Sequence, residues 1–169
     1  GYPTASIFNW RQPTLFVGLA FAPVFMRVML VVLVAWAIIG TVVLFSQART
    51  EILLFAVTAQ VGAAATALTP LGILLPETWA GVCLAVSALS YARGQWRLGA
   101  GIALAGLFLR ELLVPYVAVC LFLAVRRRRW REVSCWALGL GAWSVFFAMH
   151  ATGAMSAMQP GDVAHPSWL

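Results

Sequence analysis

The stretch RGQWRLGAGIALAGLFLRELLVPYVAVCLFLAVRRRRWR, residues 93–131, decides how the chain is read. Its apolar run extends from Leu98 to Val125, and the only charges inside it are Arg110 and Glu111, side by side near the middle. Basic residues flank both ends: Arg93 and Arg97 before, then Arg126, Arg127, Arg128, Arg129 and Arg131 after. In a bilayer each central charge costs about 2.5–3.5 kcal/mol on insertion scales. Two such groups persist at that depth only with a partner, a water-filled cavity or a task. The pair is therefore the first functional candidate.

The composition agrees with a bilayer. Of the 169 residues 63% are hydrophobic and 9% charged, against about 45–50% and about 25% in soluble domains. Too few polar residues remain to clothe a water-soluble core. The chain reads as an all-α, polytopic membrane helix bundle. The net charge of +6 does not indicate nucleic acid, because five of the eleven arginines fall in the run RRRRWR at 126–131. A basic cluster directly after an apolar span is a cytoplasmic anchor against anionic membrane lipid, and no aromatic-basic RNA motif accompanies it. Cys83, Cys120 and Cys135 lie in apolar segments without a CxxC or Cys/His spacing, and read as buried small hydrophobes. No metal or cofactor motif stands in the chain; GxGxxG, Walker, HExxH and GxSxG patterns are absent. With no basic leader after Gly1 and a loop-like tail, the chain is expected to be a fragment of a longer one.

The pattern predicts an outer loop over 1–13, then a short interfacial helix over 14–22, stopped by Pro23. Spans are expected over 24–48, 51–68, 78–92 and 130–151, about four in all, and an outer loop over 152–169. Small residues at Ala59, Ala63 and Ala67 suit the close approach of a neighbouring helix. Trp96, Trp130 and Trp79 read as interfacial anchors, while Trp36 stands in mid-span. The positive-inside rule puts Arg49, Arg93, Arg97 and the 126–131 run on one cytoplasmic face. One straight helix over 98–125 would carry that run to the outer side. Two half-length helices meeting near Arg110–Glu111 bring it back, with Pro115 restarting the chain. A re-entrant hairpin is the expectation, each half reaching roughly 20 Å into a ~30 Å core.

Each candidate residue has two readings. Arg110, whose planar fork suits phosphate or pyrophosphate, either binds that group or pairs with a neighbouring helix. On a continuous helix Arg110 and Glu111 would diverge; at a hairpin tip Glu111 can accept amide hydrogens. Glu77 in PETWAG is either a ligand in an outer cavity or a carboxylate at a helix start. His150 either meets substrate near the outer surface or is structural, and Asn9 and Arg11 in FNWRQP line an outer site or a polar loop. Asp162 and His165 are too few for a metal site.

The order of the pieces resembles the C-type (GT-C fold) membrane glycosyltransferase superfamily. The resembling pieces are FNWRQPTL before a short helix, LPETWAG opening a span, LFLRELLVPY in the centre, RRRRWRE at a turn and FFAMHA late in the last span. The resemblance implies transfer of a sugar from a polyprenyl-phosphate donor at the outer face of a bacterial inner membrane. It points to Arg110 for the donor phosphate and Glu77 for the cavity wall. The family's catalytic acid lies in the first outer loop, and no acidic residue precedes Glu51 here, so no catalytic residue is assigned. A transporter or permease subunit with a broken helix, or a structural membrane protein in which Arg110–Glu111 pairs helices, are the rival classes.

Overall fold

A computed structural model describes residues 13–157, and all regular structure among them is helical. The helices are α1 (Thr14–Phe21), α2 (Pro23–Phe45), α3 (Thr50–Ala67), α4 (Pro70–Leu74), α5 (Pro76–Ala92), α6 (Trp96–Leu107), α7 (Val114–Arg126) and α8 (Trp130–Ala157). One 3-10 turn, Glu111–Leu113, precedes α7.

Proline sets several of the starts, because its fixed φ suits the first helical turn and its missing N–H is not needed there. Pro23, Pro70, Pro76 and Pro115 each stand in the first turn of a helix. Thr69 caps α4 by accepting the amide hydrogen of Gly72 at 2.9 Å, and Trp79 donates its indole N–H to the Ile73 carbonyl at 2.9 Å. These bonds fix the corner from which α5 begins. Trp79 is fully buried there, a core residue and not the interfacial anchor expected of it.

Among the described residues three helices are long and apolar enough to cross a membrane: α2, α3 and α8. They are also poorly covered by protein. Only 28%, 11% and 6% of their most apolar windows are buried, and Val28, Phe55 and Leu138 stand exposed on them. Such faces are costly in water and suit lipid. The fourth expected span, 78–92, corresponds to α5, which at 17 residues rises about 25 Å, short of a ~30 Å core. α5 is also the hub, packed against α2 on one side and α6 on the other.

Two cores result. In the first, α2 and α5 join through Leu30, Val34, Val86 and Leu89, with α3 adding Ala64 and Ala67 and Trp36 packing alongside. The small-residue face of α3 thus differs from the expected one: Ala59 and Ala63 are exposed, and only Ala67 of that trio is buried. The second core joins α5, α6, α7 and α8 around Ala103, Leu107, Val117 and Trp136. α6 lies close on α5 because it presents glycine: a Cβ on Gly106 would stand 2.7 Å from Cys83 Cβ, and one on Gly99 2.6 Å from the Tyr91 ring. Backbones approach closely through such small residues. Cys83, Cys120 and Cys135 are all free thiols.

The 98–125 stretch is broken. α6 ends at Leu107, Arg110 is extended (φ −157, ψ 129), and α7 restarts at Val114. Its two ends return to the same place. Gly94, Trp96 and Arg97 border one groove together with Arg129, Trp130 and Arg131.

Candidate functional site

The break places its charges against the first turn of α5. Arg110 Nη2 lies 3.3 Å from Glu77 Oε1, and Arg110 Nη1 lies 3.3 Å from Glu111 Oε1. Neighbours in sequence cannot meet like this on a continuous helix. Arg110 is extended and Glu111 opens a 3-10 turn, so the two residues are not on a continuous α-helix. Glu77 sits in the first turn of α5, where a carboxylate suits the helix dipole. The side chains of Arg110 and Glu111 are 16% and 17% exposed and that of Glu77 40%, so the cluster is sheltered on the break side and opens toward Glu77.

One guanidinium between two carboxylates leaves a formal charge of −1. Both terminal nitrogens of Arg110 face carboxylates, so its fork is not open to phosphate along its usual two-pronged edge. Within this cluster two buried polar atoms have no hydrogen bond to the described residues: Arg110 Nε, a donor, and Glu77 Oε2, an acceptor. A buried polar atom left unsatisfied costs about 1–3 kcal/mol, and such atoms mark places where another polar group belongs.

Glu77 also borders a groove of about 260 Å³ between α3 and α5, whose polar lining is Gln60, Thr66 and Thr78. Those three carry no motif in the sequence; only the packing of α3 on α5 collects them. Arg27, near the start of α2, borders a second groove with Pro70 and Leu74.

Of the sequence candidates, Arg110, Glu111 and Glu77 come together. α8 reaches the break through Phe146, whose ring meets that of Phe108 at 5.4 Å. Half-buried His150 follows one turn later, about 6 Å further along α8. Arg11, Asn9, Asp162 and His165 lie outside the described residues. No group of three metal-ligating side chains occurs among the described residues.

A second polar cluster ties the opposite end. Buried Glu132 accepts a hydrogen bond from the Tyr91 hydroxyl at 2.8 Å, and its other oxygen lies 3.5 Å from Arg129 Nη1. Ser87, also buried, donates to the Gly99 carbonyl at 2.7 Å and meets the Tyr116 hydroxyl at 2.9 Å. Glu132 escaped the sequence reading because it follows five arginines and looks like part of a solvated turn. Its sole signal was position, one place after Arg131 at the head of a long apolar helix. No protein-family model, curated protein or solved structure matches the chain.

Proposed function

We propose that the chain forms the donor-binding part of an integral membrane glycosyltransferase that takes sugar from a polyprenyl-phosphate carrier at the outer face of the membrane. In this reading α6 and α7 are a re-entrant hairpin whose tip, residues 108–113, enters from the cytoplasmic side and meets the outer end of α5. The observation that carries it is Arg110 held between Glu77 and Glu111, with one donor and one acceptor still unsatisfied and Glu77 at the border of a groove between α3 and α5. A phosphosugar offers both complements. Its hydroxyls donate to Glu77 Oε2, as carboxylates accept from hydroxyls, and a phosphate oxygen accepts from Arg110 Nε. The two carboxylates hold the guanidinium in place, so Arg110 orients Glu77 as much as it touches ligand. Transfer is a displacement at the sugar's anomeric carbon: the acceptor oxygen forms the new bond, the carrier phosphate leaves with the old bonding pair, and a base takes the hydroxyl proton. No described residue is assigned as that base. Cationic donors near the leaving phosphate offset its developing charge.

The test is binding of a polyprenyl-phosphate sugar to the purified full-length protein. Glu77→Gln should keep abundance and weaken sugar-phosphate binding about tenfold, the size of one charge-assisted hydrogen bond, with less effect on the bare polyprenyl phosphate. Arg110→Lys keeps the charge but loses the Nε–H donor assigned to the phosphate, and should weaken both ligands. Unchanged binding in both variants at normal protein level would reject the site. Substrate-coupled ion movement in proteoliposomes, without sugar transfer, would favour the transporter class.

A further inference from the structure

The other end of the bundle carries a repeat. The α5–α6 turn reads Arg93-Gly94-Gln95-Trp96-Arg97, and the α7–α8 turn reads Arg127-Arg128-Arg129-Trp130-Arg131. The two turns are built alike. Gly94 (φ 75) and Arg128 (φ 55) are the left-handed residues. The amides of Gly94 and Arg128 donate to the carbonyls of Tyr91 and Val125, and those of Gln95 and Arg129 to Ser90 and Ala124, all at 2.9 Å. This is the double closure that ends a helix with a left-handed residue. Each turn then starts a new helix on a tryptophan followed by an arginine.

The twin turns face each other across a groove of about 610 Å³. Three arginines line it, Arg97, Arg129 and Arg131, against one acid, Glu132, for a formal excess of two positive charges. Glu132 is 3% exposed, with Oε1 accepting from Tyr91 and Oε2, which has no hydrogen bond, 3.5 Å from Arg129 Nη1, so it lies under Arg129 as a floor and does not project as a competing anion. Arg97 lies over the Trp96 ring at 5.6 Å, and Trp130 is 63% exposed at the opposite lip. Indole rings at a groove mouth, with lipid-facing apolar helices running away from it, belong at the headgroup level of a bilayer. Arginine forks at that level match phosphate oxygens.

We infer that the groove between the two turns is a binding site for the phosphate headgroup of one anionic phospholipid, gripped by Arg97 and Arg131 and bracketed by Trp96 and Trp130. The site is separate from the Arg110 cluster and holds whichever function that cluster serves. It differs from diffuse attraction of a basic face to a negative membrane, because only the arginines that line the groove should count. Arg126 and Arg128, in the same run, do not line it.

The experiment compares the full-length protein in phosphatidylcholine vesicles with and without phosphatidylglycerol, and counts tightly held lipid after transfer to detergent. Wild type should retain one phosphatidylglycerol per chain and gain thermal stability from it. Arg97→Gln with Arg131→Gln should weaken that binding at least tenfold, the size of one lost charge-assisted contact. The control Arg126→Gln with Arg128→Asn, which removes as much charge and keeps a residue tolerant of positive φ, should lose no more than about threefold. Equal losses in the two doubles would reduce the site to diffuse electrostatics and overturn the proposal. Protection of wild type by inorganic phosphate or glycerol phosphate alone would make free phosphate the ligand and overturn the lipid assignment. If the groove double does not fold, a photoreactive phosphatidylglycerol on wild type decides: label in 94–97 and 129–131 supports the site, and label elsewhere refutes it.

Discussion

Replacing Arg110 by leucine tests the whole account of the broken helix. The guanidinium faces two carboxylates at 3.3 Å each, and at an effective dielectric of about 20 either attraction is about 5 kcal/mol before desolvation. The net figure is smaller, for different reasons on the two sides. Glu111 is adjacent in sequence, so the unfolded chain keeps part of that attraction. Glu77 is remote in sequence but its side chain is 40% exposed, which brings its share to about 1 kcal/mol. What remains is the strain of two carboxylates facing each other without their cation, one of them only 17% exposed. A loss of about 3 kcal/mol is expected for Arg110→Leu, at the low end for a broken buried pair. Glu77→Gln alone should cost about 1 kcal/mol, and the double variant about 1 kcal/mol less than the sum. Reversible unfolding of the full-length protein in detergent or bicelles supplies the numbers. Additivity within about 0.5 kcal/mol, or a leucine variant as stable as wild type, would show that the cluster does not hold the break together.

Other outcomes follow from particular contacts. Gly106→Ala should cost about 1–3 kcal/mol by overpacking, since its Cβ would meet Cys83, while Gly101→Ala, with open space around it, should be neutral or gain about 0.5–1 kcal/mol; thermal unfolding of both settles it. Arg128→Gly relieves a left-handed non-glycine residue and should raise stability by about 1 kcal/mol; no gain would mean the side chain offsets the strain. Tyr91→Phe removes the hydroxyl that donates to Oε1 of buried Glu132 and should cost about 1–3 kcal/mol in the same assay. Single cysteines at Gln95 and Arg128, with the three native cysteines replaced, should both resist an impermeant thiol reagent in intact cells, and opposite labelling would reject the hairpin.

Much of the helical order was legible because it rests on local chemistry: long apolar runs, proline at helix starts, and charge gathered near turns and helix ends. The break at 108–113 was legible for the same reason, since Arg110 and Glu111 interrupt an apolar run that is bounded by arginine on both sides. Glu77 could be named as a candidate from its place in PETWAG, but its contact with Arg110 could not, because 33 residues separate them in sequence and only the packing of α6 on α5 closes the distance. The tryptophans show the limit of a composition rule: Trp79 and Trp96 look alike in sequence beside their loops, yet Trp79 turns inward because Ile73 offers a carbonyl to its N–H. The alanine face of α3 was misplaced because several alanines in a row make every face look small.

The short rise of α6 bears on how the chain enters a membrane. With 12 residues in α6 and 13 in α7, neither half is long enough to be recognised and held as an independent segment on the way out of the ribosome. α5, already synthesised when α6 emerges, offers a glycine-matched surface next to it, across a turn of three residues, 93–95. On the hairpin reading, insertion and folding of this part are then a single event, unlike the usual order in which spans form first and associate afterwards. A fault at the α5–α6 contact would therefore surface as a chain threaded the wrong way, with the 126–131 arginines on the far side, and quality control would meet it as an error of topology.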